Sequence, residues 1–175
     1  MRIFKNFFFI LIFLSISISS TKAEEKVSYI DIDYILTTSV AGKLLLNKLK
    51  EEEDLKINMF KTKDEDFKKK ENKILAKKNL ISEAEIKKDL KSLQIEFNEY
   101  RNDKIKQIEE LKVKRNRNIV NFLNLLNPII EKYMSDNSIY MIIDKKNVFI
   151  ANKDYDITNN LIELINNQIK NIEIK

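Results

Sequence analysis

From Val40 to Leu126 apolar residues recur at helical spacing and charged or amide side chains fill the positions between them. Leu46, Phe60, Phe67, Ile74 and Ile81 keep a sevenfold spacing that Glu53 interrupts. That is one stripe, thinner than the two-position seam of an ordinary coiled coil. The segment that follows is richer: Ile86, Leu90, Leu93, Phe97 and Tyr100 alternate spacings of four and three, and Ile105, Ile108 and Leu111 continue after a small shift. Two such segments can pair as antiparallel helices. Ser82-Glu83-Ala84-Glu85 has the form of a capping box, and Ile81 and Ile86 stand at the positions of a hydrophobic staple. Upstream, Lys73, Lys77 and Lys78 suit a helix C-terminus and Asn79 tolerates a left-handed conformation, so the hairpin tip is predicted at residues 79–82. Ser39 is the expected N-cap of an outgoing helix from Val40 to about Lys78, and a returning helix runs from Glu83 to about Leu126. Each arm then reaches roughly 60 Å. Asn127-Pro128 predicts a kink or restart where the arm meets the rest of the chain.

The flanks read differently. Lys26 to Asp31 (about 27–31), Ser138 to Ile143 and Val148 to Ala151 are short, β-branched and aromatic, the pattern of strands. The polar connection Asp144-Lys-Lys-Asn147 predicts a hairpin between the last two. Ile139 to Ile143 is apolar on both faces, so both sides of its sheet must be covered, by helices or by neighbouring subunits. Tyr29, Ile30, Ile139, Met141, Ile143 and Phe149 are the candidate core of this body. Leu161, Ile162, Ile165 and Ile169 make a short amphipathic helix over Thr158–Lys170, capped by Asp156 or Thr158. The expected fold is mostly α with a small β-body: residues 24–39 and 127–175 form the body, and residues 40–126 form a helical hairpin arm.

Residues 1–23 stand apart. Arg2 and Lys5 precede the apolar run Phe7 to Ile18, and Thr21-Lys22-Ala23 puts small side chains before a cleavage point, the layout of an export signal cut after about Ala23. Without Arg2, Lys5 and Lys22, 29 basic residues stand against 27 acidic ones, a net charge of +2 where the whole chain has +5. The single glycine and single proline leave almost no tight turns, against averages of roughly 7% and 5%. With no cysteine the fold draws nothing from disulfides, and a thin helical chain needs association to gain stability. The chain also lacks histidine, a Gly-rich phosphate loop and any His/Cys cluster. That argues against an enzyme, a bound cofactor or a metal site. Asp31 and Asp33, a carboxylate pair at a strand end, are expected to cap the next helix instead.

Several short motifs occur in a telling order: YIDIDYIL (Tyr29 to Leu36), SVAGK (Ser39 to Lys43), the charged hairpin, SIYMIID and NVFIA, then DIT at Asp156 to Thr158 before the last helix. In this order the chain resembles the Skp/OmpH family of periplasmic chaperones over essentially the whole mature sequence. The resemblance implies a homotrimer whose strands build a β-barrel-like body, with three hairpins projecting like tentacles around a cavity. It implies that unfolded outer-membrane β-barrel proteins are held there, away from aggregation. Family members tend to be strongly basic and to bind anionic membranes or lipopolysaccharide, and a mature charge of +2 reduces that to a weak contact.

On the arm, Phe60, Phe67, Phe97 and Tyr100 are candidates for a client-cavity lining, and packing between the two helices is the stronger competing reading. Lys68-Lys69-Lys70 and the group Lys112, Lys114, Arg115 and Arg117 could meet anionic groups, although interleaved Asp and Glu favour a solvated face. Two other classes compete with the chaperone. An exported adaptor coiled coil would bind one folded envelope partner. A nucleic-acid binder is suggested by the pI near 9.1, but export and the lack of interleaved aromatics leave no specific nucleic acid among the expected partners.

Overall fold

Two parallel strands, four helices and a long excursion between the strands make up the chain in a computed structural model that describes residues 26–174. The proposed export signal lies outside the described residues. Strand β1 (Lys26–Ile30) leads into helix α1 (Ile32–Thr38), α2 (Val40–Ala76), α3 (Glu83–Asp136), strand β2 (Ile139–Asp144) and helix α4 (Thr158–Gln168). Between β2 and α4 the chain makes two single 3₁₀ turns, Lys145–Asn147 and Lys153–Tyr155. β1 pairs with β2 from Lys26↔Ile139 to Ile30↔Asp144, with an irregularity between Lys26 and Val27. On its other edge β1 meets Asp156, and Ile157 N–H donates to the Tyr29 carbonyl at 3.1 Å.

Helix α1 is absent from the sequence expectation. Asp31 accepts from Tyr34 N–H at 2.9 Å, the N-cap that ends β1, and Ile32, Ile35 and Leu36 then share one helical face. Ile35 is fully buried. A sharp corner follows: Ser39 accepts from Gly42 N–H at 3.1 Å and starts α2 as expected. Gly42 has a separate reason to be glycine. A Cβ there would stand 2.1 Å from the Leu36 carbonyl oxygen, so the start of α2 touches the end of α1 backbone to backbone.

Helix α3 is continuous for 54 residues, with Pro128 inside it, so the expected kink or restart at Asn127-Pro128 is not a helix end. Proline removes the hydrogen bond to the carbonyl four residues back and costs roughly 3 kcal/mol in an open helix. Here Phe122, Leu126 and Ile129 are buried on either side of it, and Ile130, Tyr133 and Met134 pack against the same core. Tertiary burial overrides the local signal. The helix ends at Asn137, and Ser138 adopts a left-handed conformation (φ 52°) that turns the chain into β2.

The expected third strand, Val148 to Ala151, does not form, and neither does its hairpin with β2. The connection curls into a 3₁₀ turn after Asp144 accepts from Lys146 N–H at 3.1 Å, which carries the following residues away from the edge of β2. Lys145 is thereby brought between Asp31 and Asp156, 3.6 Å from each. The DIT motif closes the same corner. Asp156 accepts from both Thr158 N–H and Thr158 Oγ1, and Asp31 N–H donates to Thr158 Oγ1 at 2.9 Å. Burial pushes the Asp156 carboxyl up, but the Thr158 hydrogen bonds and Lys145 outweigh it and hold the group below its ordinary range. Two motifs 127 residues apart in sequence are thus one hydrogen-bonded unit.

The core is one cluster in which Ile30, Ile35, Leu45, Leu49, Phe122, Leu126, Leu161 and Ile165 meet. The faces of α1, α2, α3 and α4 that carry these residues point into it, so the body joins the first and last of the described elements. Ser28 is buried in this region with its Oγ unpartnered.

Two substitutions test this packing by urea or thermal unfolding. Gly42→Ala should destabilise by about 2 kcal/mol, because the methyl must push α1 off α2. Ser28→Ala should be neutral or stabilising by up to about 1 kcal/mol, since an unpartnered hydroxyl is removed.

Candidate functional site

Antiparallel α2 and α3 form an arm whose outgoing helix alone is about 55 Å long. At the tip Ser82 accepts from Glu85 N–H while the Glu85 carboxylate accepts from Ser82 N–H at 3.0 Å, the reciprocal cap expected from the sequence. The Ser82 hydroxyl, which donates to the Glu85 carboxylate at 2.7 Å, and then the Ser82 N–H hold that carboxyl below its ordinary range. Polar pairs cross the arm along its length. Glu52 meets Lys114 (2.8 Å), Glu53 meets Arg115 (3.8 Å), Lys56 meets Gln107 (2.6 Å), Asp64 meets Lys104 (2.6 Å) and Lys70 meets Glu96 (2.7 Å). From residues 52–53 out to residue 70 the partners run back from 114–115 to 96, so these pairs hold the two helices in one antiparallel register.

Apolar contact concentrates at mid-arm. Phe67 lies edge-on to Phe97 (centroids 5.3 Å apart) and stacked with Tyr100 (5.2 Å). Buried Tyr100 donates its hydroxyl to the Phe60 carbonyl (3.0 Å) and to Asp64 (2.9 Å), and Lys104 reaches Asp64 while lying over the Phe60 and Tyr100 rings. The Lys104 hydrogen bond, then that of Tyr100, holds the Asp64 carboxyl below its ordinary value against the opposing effect of burial. Burial first, and then the Asp64 carboxylate, pushes the Tyr100 hydroxyl up. The Asp64 hydrogen bond pushes Lys104 up.

The two helices contribute unequal apolar surface. Along this stretch α2 offers Phe60, Phe67 and Ile74, whereas α3 offers Leu90, Leu93, Phe97, Tyr100, Ile105 and Ile108. The surplus stays uncovered: Phe97, Ile105 and Ile108 are 39%, 59% and 38% exposed. It lines an open groove of about 930 Å³ whose rim carries Lys68, Glu71 and Arg101. Further out, residues 68–91 carry nine lysines against the four acidic residues Glu71, Glu83, Glu85 and Asp89, with Lys69 and Lys70 reaching Asp66 and Glu96 beyond them. Positive charge is therefore concentrated on the outer arm. The other basic stretch is largely paired, with Lys112 beside Glu109 (3.5 Å) and Lys114 and Arg115 on Glu52 and Glu53.

Of the residues named from sequence, the structure gathers Phe60, Phe67, Phe97 and Tyr100 into the mid-arm cluster. Phe60 and Tyr100 are buried between the helices, Phe67 is half-buried, and Phe97 keeps an open face. In the body, Tyr29, Ile30 and Ile139 are buried within the single chain. Ile143 is half-buried, Met141 is exposed, and Phe149 is fully exposed with Ile150 beside it at 86%. The groove residues Leu90, Leu93, Ile105 and Ile108 were visible as a stripe, but only a comparison of the two helices reveals that half of the stripe has no cover. Among the described residues no cluster of side chains could hold a metal ion, and no helix is long and apolar enough to cross a membrane.

A family model described as "Outer membrane protein (OmpH-like)" matches residues 26–165. No curated protein sequence matches significantly. Among solved structures, the fold is similar to a crystal structure from Caulobacter crescentus CB15 described provisionally as an outer membrane chaperone (OmpH-like). The TM-score is 0.77 at 18% identity, over 84% of this chain and 87% of the other.

The mid-arm cluster has two measurable consequences. Tyr100→Phe should cost about 1 kcal/mol, because the buried hydroxyl's one proton, placed between the Phe60 carbonyl and Asp64, is lost. The Asp64 carboxyl sits below its unfolded value, so its contribution is complete above pH about 4 and disappears as the pH falls through the folded-state value. Asp64→Asn should flatten that acid limb in a pH series of melting curves, while an unchanged limb would remove Asp64 from the arm's stability.

Proposed function

Because the chain belongs to the OmpH-like outer membrane protein family, we propose that it is a periplasmic holdase. It binds unfolded outer-membrane β-barrel proteins between helical arms and keeps them from aggregating in transit. The observation that carries this reading is the uncovered apolar surface of α3, spread along an arm rather than gathered into a closed pocket. Clients of differing sequence need dispersed apolar contacts, and an open groove with both signs of charge on its rim offers them without demanding a fixed shape. Buried Phe60 and Tyr100 hold the arm together in this reading, and Phe97, Ile105 and Ile108 touch the client.

The working form is a homotrimer. β2 has an open edge, and Tyr140, Met141, Phe149 and Ile150 are exposed apolar groups on and after it, a combination a lone subunit does not shield from water or from stray strands. Two further copies cover this patch and complete a β-barrel-like body. The export signal at residues 1–23 delivers the chain to the periplasm. The lysine-rich outer arm gives a weak, salt-sensitive attraction to anionic membrane or lipopolysaccharide.

The test is the native mass of the mature chain, alone and after dilution with a urea-unfolded outer-membrane β-barrel protein. A trimer that takes up one client into a soluble complex is the expected result. A monomer or dimer that lets the client aggregate would overturn the proposal and favour an adaptor for a folded partner. Phe149→Asp should shift the mass toward monomer. Ile105→Ser should weaken client retention several-fold and leave the melting temperature nearly unchanged, since this side chain is 59% exposed and lies outside the aromatic cluster.

A further inference from the structure

The family match ends at residue 165, yet the residues after it are built into the foot of the arm. Asn166 Oδ1 accepts from Val40 N–H, the first residue of α2, at 2.8 Å. Lys48, two turns further along α2, donates its ammonium to the Ile172 carbonyl at 2.7 Å. Between these anchors Lys170 donates to the Asn166 carbonyl (2.8 Å), and Asn171 accepts from Ile172 N–H (2.9 Å). Ile172 is 5% exposed and belongs to the cluster that holds Leu45 and Leu49, with Ile169 and Ile174 packed against it. The anchors on α2 are separated by about 12 Å, a span covered by the last turn of α4 and the four residues after Gln168.

The two legs of the arm are rooted by different means. Helix α3 runs unbroken from tip to body, carrying Phe122, Leu126 and Ile129 into the core. Helix α2 begins at the Ser39 corner, where its first N–H groups need partners from outside the helix. Ser39 supplies one within the chain's own turn, and Asn166 supplies another from the far end of the sequence. We propose that Asn166–Ile174 is a C-terminal brace that fixes the outgoing helix against the body, and that releasing it loosens the arm at its root. A swing of about 10° there would move a tip about 55 Å away by about 10 Å. The effect on client capture rests on the holdase reading, but the brace itself does not.

Hydrogen exchange read by mass spectrometry on the full mature chain, without client, separates the two. One variant is Ile172→Asp; a milder one combines Lys48→Met with Asn166→Ala. Amides of Val40–Leu49 should exchange about tenfold faster in both, while those near Tyr100 and within Leu161–Ile165 keep their protection. Unchanged exchange at Val40–Leu49 in both variants would overturn the brace. So would equal acceleration along the whole chain in both, which would mark a general loss of core. If Ile172→Asp unfolds the body, local acceleration in the double variant still supports the proposal, and its absence rejects it. A chain that shows the local effect yet holds no client would leave the brace intact and remove the holdase.

Discussion

Everything in this molecule depends on the parallel pairing of β1 with β2. Parallel neighbours cannot be joined by a tight turn, so the chain must travel away and return before the second strand is laid down. Here the crossover is the arm itself, α2 and α3 with α1 at its base. Pairing Lys26 with Ile139 and Ile30 with Asp144 places both feet of the arm on one small sheet. The corner of Asp31, Lys145, Asp156 and Thr158 then ties the end of β1 to the start of α4. The sheet is small, but it sets the register between β1 and a strand more than a hundred residues further along.

The arm obeys different physics. Its helices share few buried side chains away from the root, and its register comes from ordered polar pairs plus one aromatic cluster. Such pairs are individually weak at a surface, each worth well under about 1 kcal/mol, and they specify alignment more than they stabilise it. The aromatic cluster around Tyr100 supplies what firmness the middle has. An arm built in this way keeps apolar surface in water and stays helical, the combination a holding chaperone requires.

Much of this was legible in the residues. Ser39 and the Ser82–Glu85 box mark helix starts through a local hydrogen bond that the sequence spells out directly. The arm's period survives because each helix carries its own stripe. The failures share a cause: they concern what a neighbour in space decides. Val148 to Ala151 has strand composition, but a strand exists only against a partner edge, and the turn at Lys145 steers this segment away from β2. Pro128 signals a break, and burial of Leu126 and Ile129 carries the helix through it. Helix α1 is too short for periodicity to reveal, and Gly42 looked like part of a motif until the Leu36 carbonyl stood beside it. The groove likewise depends on a mismatch between two helices that neither stripe shows alone.

The pairing of two strands so far apart in one body has a bearing on how the chain folds as it emerges N-terminus first. β1 appears early and must wait for β2, more than a hundred residues later, before its ladder can form. Bringing two such distant segments together would be slow for an open coil. A hairpin that closed first would shorten that wait. Once its tip has capped and its polar pairs have closed from Lys70–Glu96 inward, the feet of α2 and α3 already lie side by side. The effective loop between the strands then shrinks to the few residues at the foot of the arm. The limb that reaches outward in the finished molecule is also the shortest route by which its two strands could meet.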